Sequence, residues 1–161
     1  MDLDPTTKWL IRISSSIIIF LGLILIITIP LIAFKASSLI SLAQDTSTLT
    51  ACLNDYGAEE IFKRVMSSMA QEGDVLLAIT TSGNSLNIIE ALKFANSKGI
   101  YSFGFLGGNG GKALQYCNNA FIVPSEITAR IQESHITAGH AMLQYIEDKL
   151  LKTGWLTMER K

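Results

Sequence analysis

Four hydroxyl side chains crowd into six consecutive residues, Thr80-Thr81-Ser82-Gly83-Asn84-Ser85. They follow an apolar run and precede a helical pattern. That places them at the carboxyl end of a strand, where α/β sheets gather ligands. Hydroxyls and free backbone N–H groups at a helix N-terminus suit an anion such as phosphate. Gly83 lets the backbone come close to such a ligand. The alternative is an ordinary capped turn, since Ser and Thr favour helix starts; four hydroxyls are more than capping needs.

Two further groups carry chemistry. Asn54-Asp55 could bond the hydroxyls of a polyol, or simply form a turn. Gln132, His135 and His140 fall in the last helical pattern. Gln132 and His135 share a face. Gln132 and His140 are two turns apart and roughly 80° round, so both could border one cleft. Histidine is a usual general acid or base near neutral pH; the alternative is a pair of packed or solvated histidines. The glycines between 107 and 111 resemble a nucleotide loop only superficially, lacking both the Lys-Ser/Thr of a P-loop and G-x-G-x-x-G spacing.

The elements that must position these residues alternate. A short apolar run at 39–43 reads as a strand. Asp45-Thr46-Ser47-Thr48 offers caps for a short helix reaching Leu53, and 54–57 reads as a turn. Ile61, Val65 and Met69 recur at i+4 in a helix over 59–69. Residues 75–80 (VLLAIT) form a continuous apolar run, the mark of a strand buried on both faces. A helix over 87–96 turns Ile88, Ile89, Leu92 and Ala95 inward and ends at Gly99. Strands over 100–106 and 119–123 follow, with a short helix over 112–116 between them. A long helix over 127–151 ends the pattern. Alternating strands and helices predict an α/β fold with a parallel sheet and crossover helices.

Charge and composition exclude several classes. The 161 residues carry 13 Lys+Arg against 14 Asp+Glu, net −1, with no basic block, so no nucleic-acid partner is expected. Cys52 and Cys117 lie far apart, which supports neither a disulfide framework nor a structural zinc motif. Most of the net hydropathy sits in one uncharged run, 13–34, long enough as a helix to span a bilayer core. Lys8, Trp9 and Arg12 flank one end and Lys35 the other, as interfacial anchors do. The expected organisation is an apolar segment 1–38 with a transmembrane helix over 13–34, a domain over 39–152 and a tail over 153–161. A signal peptide fits less well, because 33–37 is a poor small-residue cleavage site.

Together the strings DTSTLTACLNDYG, EGDVLLAITTSGNS, GGNGGK and RIQESHITAGH resemble the sugar isomerase (SIS) family, in its phosphoheptose isomerase branch, over about 41–151. The resemblance implies a doubly wound, flavodoxin-type three-layer domain that assembles as a tetramer in the cytoplasm. It implies isomerisation of sedoheptulose 7-phosphate to a glycero-manno-heptose 7-phosphate for surface-polysaccharide synthesis, by proton transfer through an enediol. Thr80, Thr81, Ser82 and Ser85 match phosphate-binding hydroxyls, and Asn54 and Asp55 match substrate contacts. Gln132 matches a substrate or zinc contact, and His140 a catalytic, sometimes zinc-binding, histidine.

The family's first half also carries a strand, a Gly-Asn-Gly-Gly-Ser loop and a helix with a His and the Glu base. This sequence has the apolar head in their place. The expected domain is therefore a partial sheet with an open apolar edge, which invites association, and two of four zinc ligands. Three readings follow: an isomerase whose missing half comes from a partner chain; a non-catalytic phosphosugar-binding module, tethered to the inner membrane through 13–34; or a truncated or frame-shifted product.

Overall fold

The computed structural model describes residues 40–154, which fall into two compact units, 40–131 and 132–154. Asp45 opens the first helix. Its carboxylate accepts from Ser47 N at 3.0 Å and from the hydroxyls of Ser47 and Thr48, serving donors that a helix start leaves open. Helix α1 runs Thr46–Tyr56 and stops at Gly57, whose φ of 89° breaks the spiral. A 3-10 turn, Ala58–Glu60, leads into α2, Ile61–Met69. Strand β1 (Val75–Thr80), α3 (Leu86–Ser97), β2 (Tyr101–Gly107), a second 3-10 turn (Leu114–Tyr116), β3 (Asn119–Val123) and α4 (Thr128–Lys152) follow.

The three strands form one parallel sheet in the order β1-β2-β3, with Ala78 opposite Gly104 and Leu106 opposite Ile122. The α/β class and the parallel pairing read from the sequence are therefore present. Alternation sorts the side chains. Ala78 and Leu106 join Ile89, Leu92 and Ala113 in one core cluster, while Met66, Ala91, Ala95 and Ile100 form a second. Helix α3 is thus buried on two sides, by the sheet and by α2. Leu92, fully buried, contributes about 1.5–3 kcal/mol by leaving water. Ser102 is a buried polar residue inside β2, satisfied by Asn118 Oδ1, which accepts from its N at 2.8 Å and its Oγ at 3.1 Å.

Several expectations need correction. No strand covers 40–43: a turn stands there, with Gln44 N donating to Ser41 O, because an isolated apolar run without a neighbouring strand gains no ladder. Residues 54–56 continue α1 rather than turning. On α2, Val65 is buried as the i+4 pattern has it, with Met66 beside it, whereas Met69, the last residue of the helix, is exposed. The strand VLLAIT is not buried on both faces: Val75, Leu77 and Ile79 alternate onto one face and are exposed, while Ala78 and Thr80 on the other are buried. The apolar run 13–34 lies outside the described residues. Among those described, no helix is long and apolar enough to cross a membrane.

Candidate functional site

Strand β1 delivers Thr80 to the end of the sheet with its side chain buried at 6% exposure. Its Oγ1 shares a hydrogen bond with Ser85 Oγ at 3.0 Å, closing the turn between strand and helix. Two hydroxyl hydrogens enter that pair and one is used within it, so one remains for a ligand. Ser85 stands at the N-cap of α3 but makes no capping bond with its side chain, since Thr80 holds it. The first turn of α3 therefore keeps donors for an outside acceptor.

Ser82 is exposed. Its Oγ accepts from Asn84 N at 3.1 Å, which orients the hydroxyl and leaves its O–H to donate outward. Thr81 is half-buried. Gly83 sits at φ 64° and is pressed against the loop that follows β2: a Cβ built there would lie 2.1 Å from Gly110 O. The reciprocal position, Gly111, would place a Cβ 2.6 Å from Gly83 C. Ala113 N donates to Gly83 O at 2.8 Å, and Lys112 N donates to Asn84 Oδ1 at 3.1 Å. The 107–112 loop, unlike a nucleotide loop, is a backbone buttress for the 80–85 turn. Sequence reading set these glycines aside; the signal was there in a second glycine-rich segment at the end of the neighbouring strand.

Asn54 and Asp55 are not part of this turn. Asn54 and Asp55 lie exposed on the last turn of α1, which packs against α2 and the first 3-10 turn. Their side chains bond each other, Asn54 Nδ2 donating to Asp55 Oδ1 at 2.9 Å. Nearby, the Arg64 guanidinium stacks on the Tyr56 ring, 3.6 Å from its centre. In the 132–154 unit, Gln132 and His140 are exposed on α4, whereas His135 is buried at 5% exposure. Among the described residues no group of three or more His, Cys, Asp or Glu could hold a metal ion. Gln132 and His140 alone fall two donors short of a tetrahedral zinc set, so the described residues do not fit a complete zinc site.

Burial pushes the Cys117 thiol up to about 11. That makes it a packing group, with its Sγ against Ala113 O, rather than a nucleophile. The turn at 80–85 gathers hydroxyls and backbone donors at one strand end. Its outward groups are hydrogen donors, which suits an anion with several acceptor oxygens.

No family model matches the chain. Pairwise comparison gives clear relatives. The chain is 48% identical over 113 residues to a phosphoheptose isomerase of Paramagnetospirillum magneticum, covering 70% of this chain and 59% of that protein. It is 50% identical over 109 residues to the phosphoheptose isomerase of Aquifex aeolicus, covering 68% of this chain and 57% of the relative. Among solved structures, phosphoheptose isomerase GmhA from Neisseria gonorrhoeae superposes with a TM-score of 0.66 at 41% identity, over 68% of this chain and 61% of that one. A phosphoheptose isomerase from Francisella tularensis superposes equally well at 36% identity. The chain spans somewhat under two thirds of the length of these relatives.

Proposed function

The chain belongs to the phosphoheptose isomerase family over the part that matches, and on that premise we propose that its 80–85 turn grips the phosphate of a phosphorylated heptose, sedoheptulose 7-phosphate. The observation that carries this reading is the start of α3 beneath a rim of hydroxyls, where Ser85 Oγ bonds Thr80 instead of its own helix, although the Ile88 N–H is taken by Asn87 Oδ1 at 2.9 Å. Ser82 donates to a phosphate oxygen. The spare hydrogen of the Thr80–Ser85 pair and Thr81 supply two more contacts. The Leu86 and Asn87 N–H groups at the start of α3 complete the cradle, and the helix dipole adds to it. Hydrogen bonds to a charged acceptor contribute about 1.5–3 kcal/mol each, enough to hold a dianion without a salt bridge.

The proposed reaction is aldose–ketose isomerisation, a proton moved between adjacent carbons through an enediol. His140 is the proposed acid/base, and Asn54, Asp55 and Gln132 the proposed contacts to sugar hydroxyls. What supports these roles is the match of the strings that carry them to the family, together with the exposure of all four side chains. A tetramer belongs to the same proposal. No step is routed through zinc. The partial span of the relatives favours a second reading, a module that binds the sugar phosphate without converting it.

Calorimetric titration of the full chain with sedoheptulose 7-phosphate tests the cradle. Binding is expected, and the double variant Ser82→Ala with Ser85→Ala is expected to weaken it by at least tenfold, given about 1.4 kcal/mol per decade. Undiminished affinity in that variant refutes the assignment. Turnover to the heptose 7-phosphate at high protein concentration then separates the readings: conversion supports the isomerase, and binding without conversion the module.

A further inference from the structure

The amide of Asn84 connects two segments far apart in sequence. Its Nδ2 donates to Ser82 O at 2.9 Å, within its own turn. Its Oδ1 accepts from Lys112 N at 3.1 Å, from a residue 28 positions away. Its backbone N donates to Ser82 Oγ at 3.1 Å. An ordinary Asn in a turn bonds its own backbone two residues on; this one spends half its side chain on another strand's loop. Both polar ends of this exposed side chain are engaged within the protein, each with one further hydrogen-bonding site. Its neighbours repeat the connection: Ala113 N bonds Gly83 O, and Gly83 and Gly111 meet backbone to backbone.

From this arrangement we infer that Asn84 is a positioning residue for the phosphate cradle, locking the carbonyl and hydroxyl of Ser82 to the loop after β2 so that the Ser82 O–H points outward. The inference rests on the reading that the 80–85 turn takes a phosphate. Asn84 acts through Ser82 and does not itself touch the ligand. With the amide removed, the Ala113–Gly83 bond still joins the two loops, but Ser82 loses both the donor to its carbonyl and the tie from its turn to Lys112. The bond from the backbone N–H of residue 84 to Ser82 Oγ survives the substitution, but the turn that carries it is no longer tied to Lys112, so the direction of the hydroxyl loosens with the turn and a phosphate must order it on binding.

The test uses the full chain, titrated with sedoheptulose 7-phosphate and separately with inorganic phosphate, with thermal unfolding measured in parallel. Asn84→Ala is expected to weaken both ligands about tenfold, as loss of one or two buttressing hydrogen bonds would. A general structural role would not produce the second result: Ser82→Ala combined with Asn84→Ala should bind within about twofold of Ser82→Ala alone, because residues acting as one unit are non-additive. Multiplied losses in the double variant overturn the inference. Asn84→Ser brings no charge to the cradle and keeps a turn-favouring residue, and its single short hydroxyl cannot serve both Ser82 O and Lys112 N. It serves if the alanine variant does not fold, and is expected to weaken binding with the same non-additivity; binding like the unaltered chain would overturn the inference. If Ser82→Ala weakens binding and Asn84→Ala does not, positioning by Asn84 fails while the phosphate reading stands. If the unaltered chain binds neither ligand, both fail.

Discussion

Two glycines with nearly the same backbone angle offer a controlled measurement of the contact between the loops. Gly83 has φ 64° and Gly99 has φ 67°. Alanine at either position pays the left-handed penalty, about 1–2 kcal/mol. At Gly99 nothing lies within 4 Å of the added Cβ, whereas at Gly83 the Cβ meets Gly110 O at 2.1 Å, Gly110 C at 2.4 Å and Gly111 N at 2.8 Å. Those atoms are backbone and cannot swing aside, so the loops must part by roughly an ångström, beyond what close-packed interiors absorb freely. Parting strains the bonds Ala113 N to Gly83 O and Lys112 N to Asn84 Oδ1, each with a net contribution of about 0.5–1.5 kcal/mol. Gly83→Ala should therefore cost about 1–3 kcal/mol more than Gly99→Ala. Urea unfolding followed by circular dichroism reads the difference as a shift in midpoint at constant slope. Equal destabilisation by the two substitutions would refute the buttress, as would Gly83→Ala binding phosphate undisturbed.

Two other outcomes follow from the titrating groups. Hydrogen bonds from Thr48 and Ser47 hold the Asp45 carboxyl below its ordinary value of 3.8. A lowered folded value means that the cap's stabilisation is fully present above the unfolded value and is lost as pH falls through the folded one. Protection of the α1 amides against hydrogen exchange should therefore drop below about pH 4, and Asp45→Asn, which caps without titrating, should flatten that dependence; an unchanged profile would count against the cap. Cys117, raised to about 11 by burial, should alkylate at pH 8 on the order of a hundredfold more slowly than an unperturbed thiol of pKa about 8.5. Mass spectrometry of iodoacetamide-treated folded protein checks this, and labelling of Cys117 at the rate of a free thiol would show that the pocket around it opens.

Strands β1 and β3 were legible because the sequence is locally consistent there: six and five residues of β-forming and apolar type end on polar turns. The turn proposed to take phosphate stood out for the same reason, as a hydroxyl-rich string between a strand and a helix. Burial on β1 was not legible. A run such as VLLAIT looks alike whether one face of its strand is covered or both, and only packing tells them apart. The inward face of α2 was legible in part: Val65 is buried as read, Met66 beside it went unnamed, and Met69 at the helix end is exposed. The buttress was missed because its function depends on what glycine omits: space at 83, 107 and 111 for another backbone, which composition reports only as flexibility.

That omission has a dynamic consequence. Two backbones in van der Waals contact, cross-tied at 83–113 and 84–112, leave no room for water or a hinge between the ends of adjacent strands. The proposed phosphate cradle is therefore already assembled before any ligand arrives, with little entropy left to lose. Whatever closes over a bound sugar must come from another part of the protein, because this floor cannot fold upward.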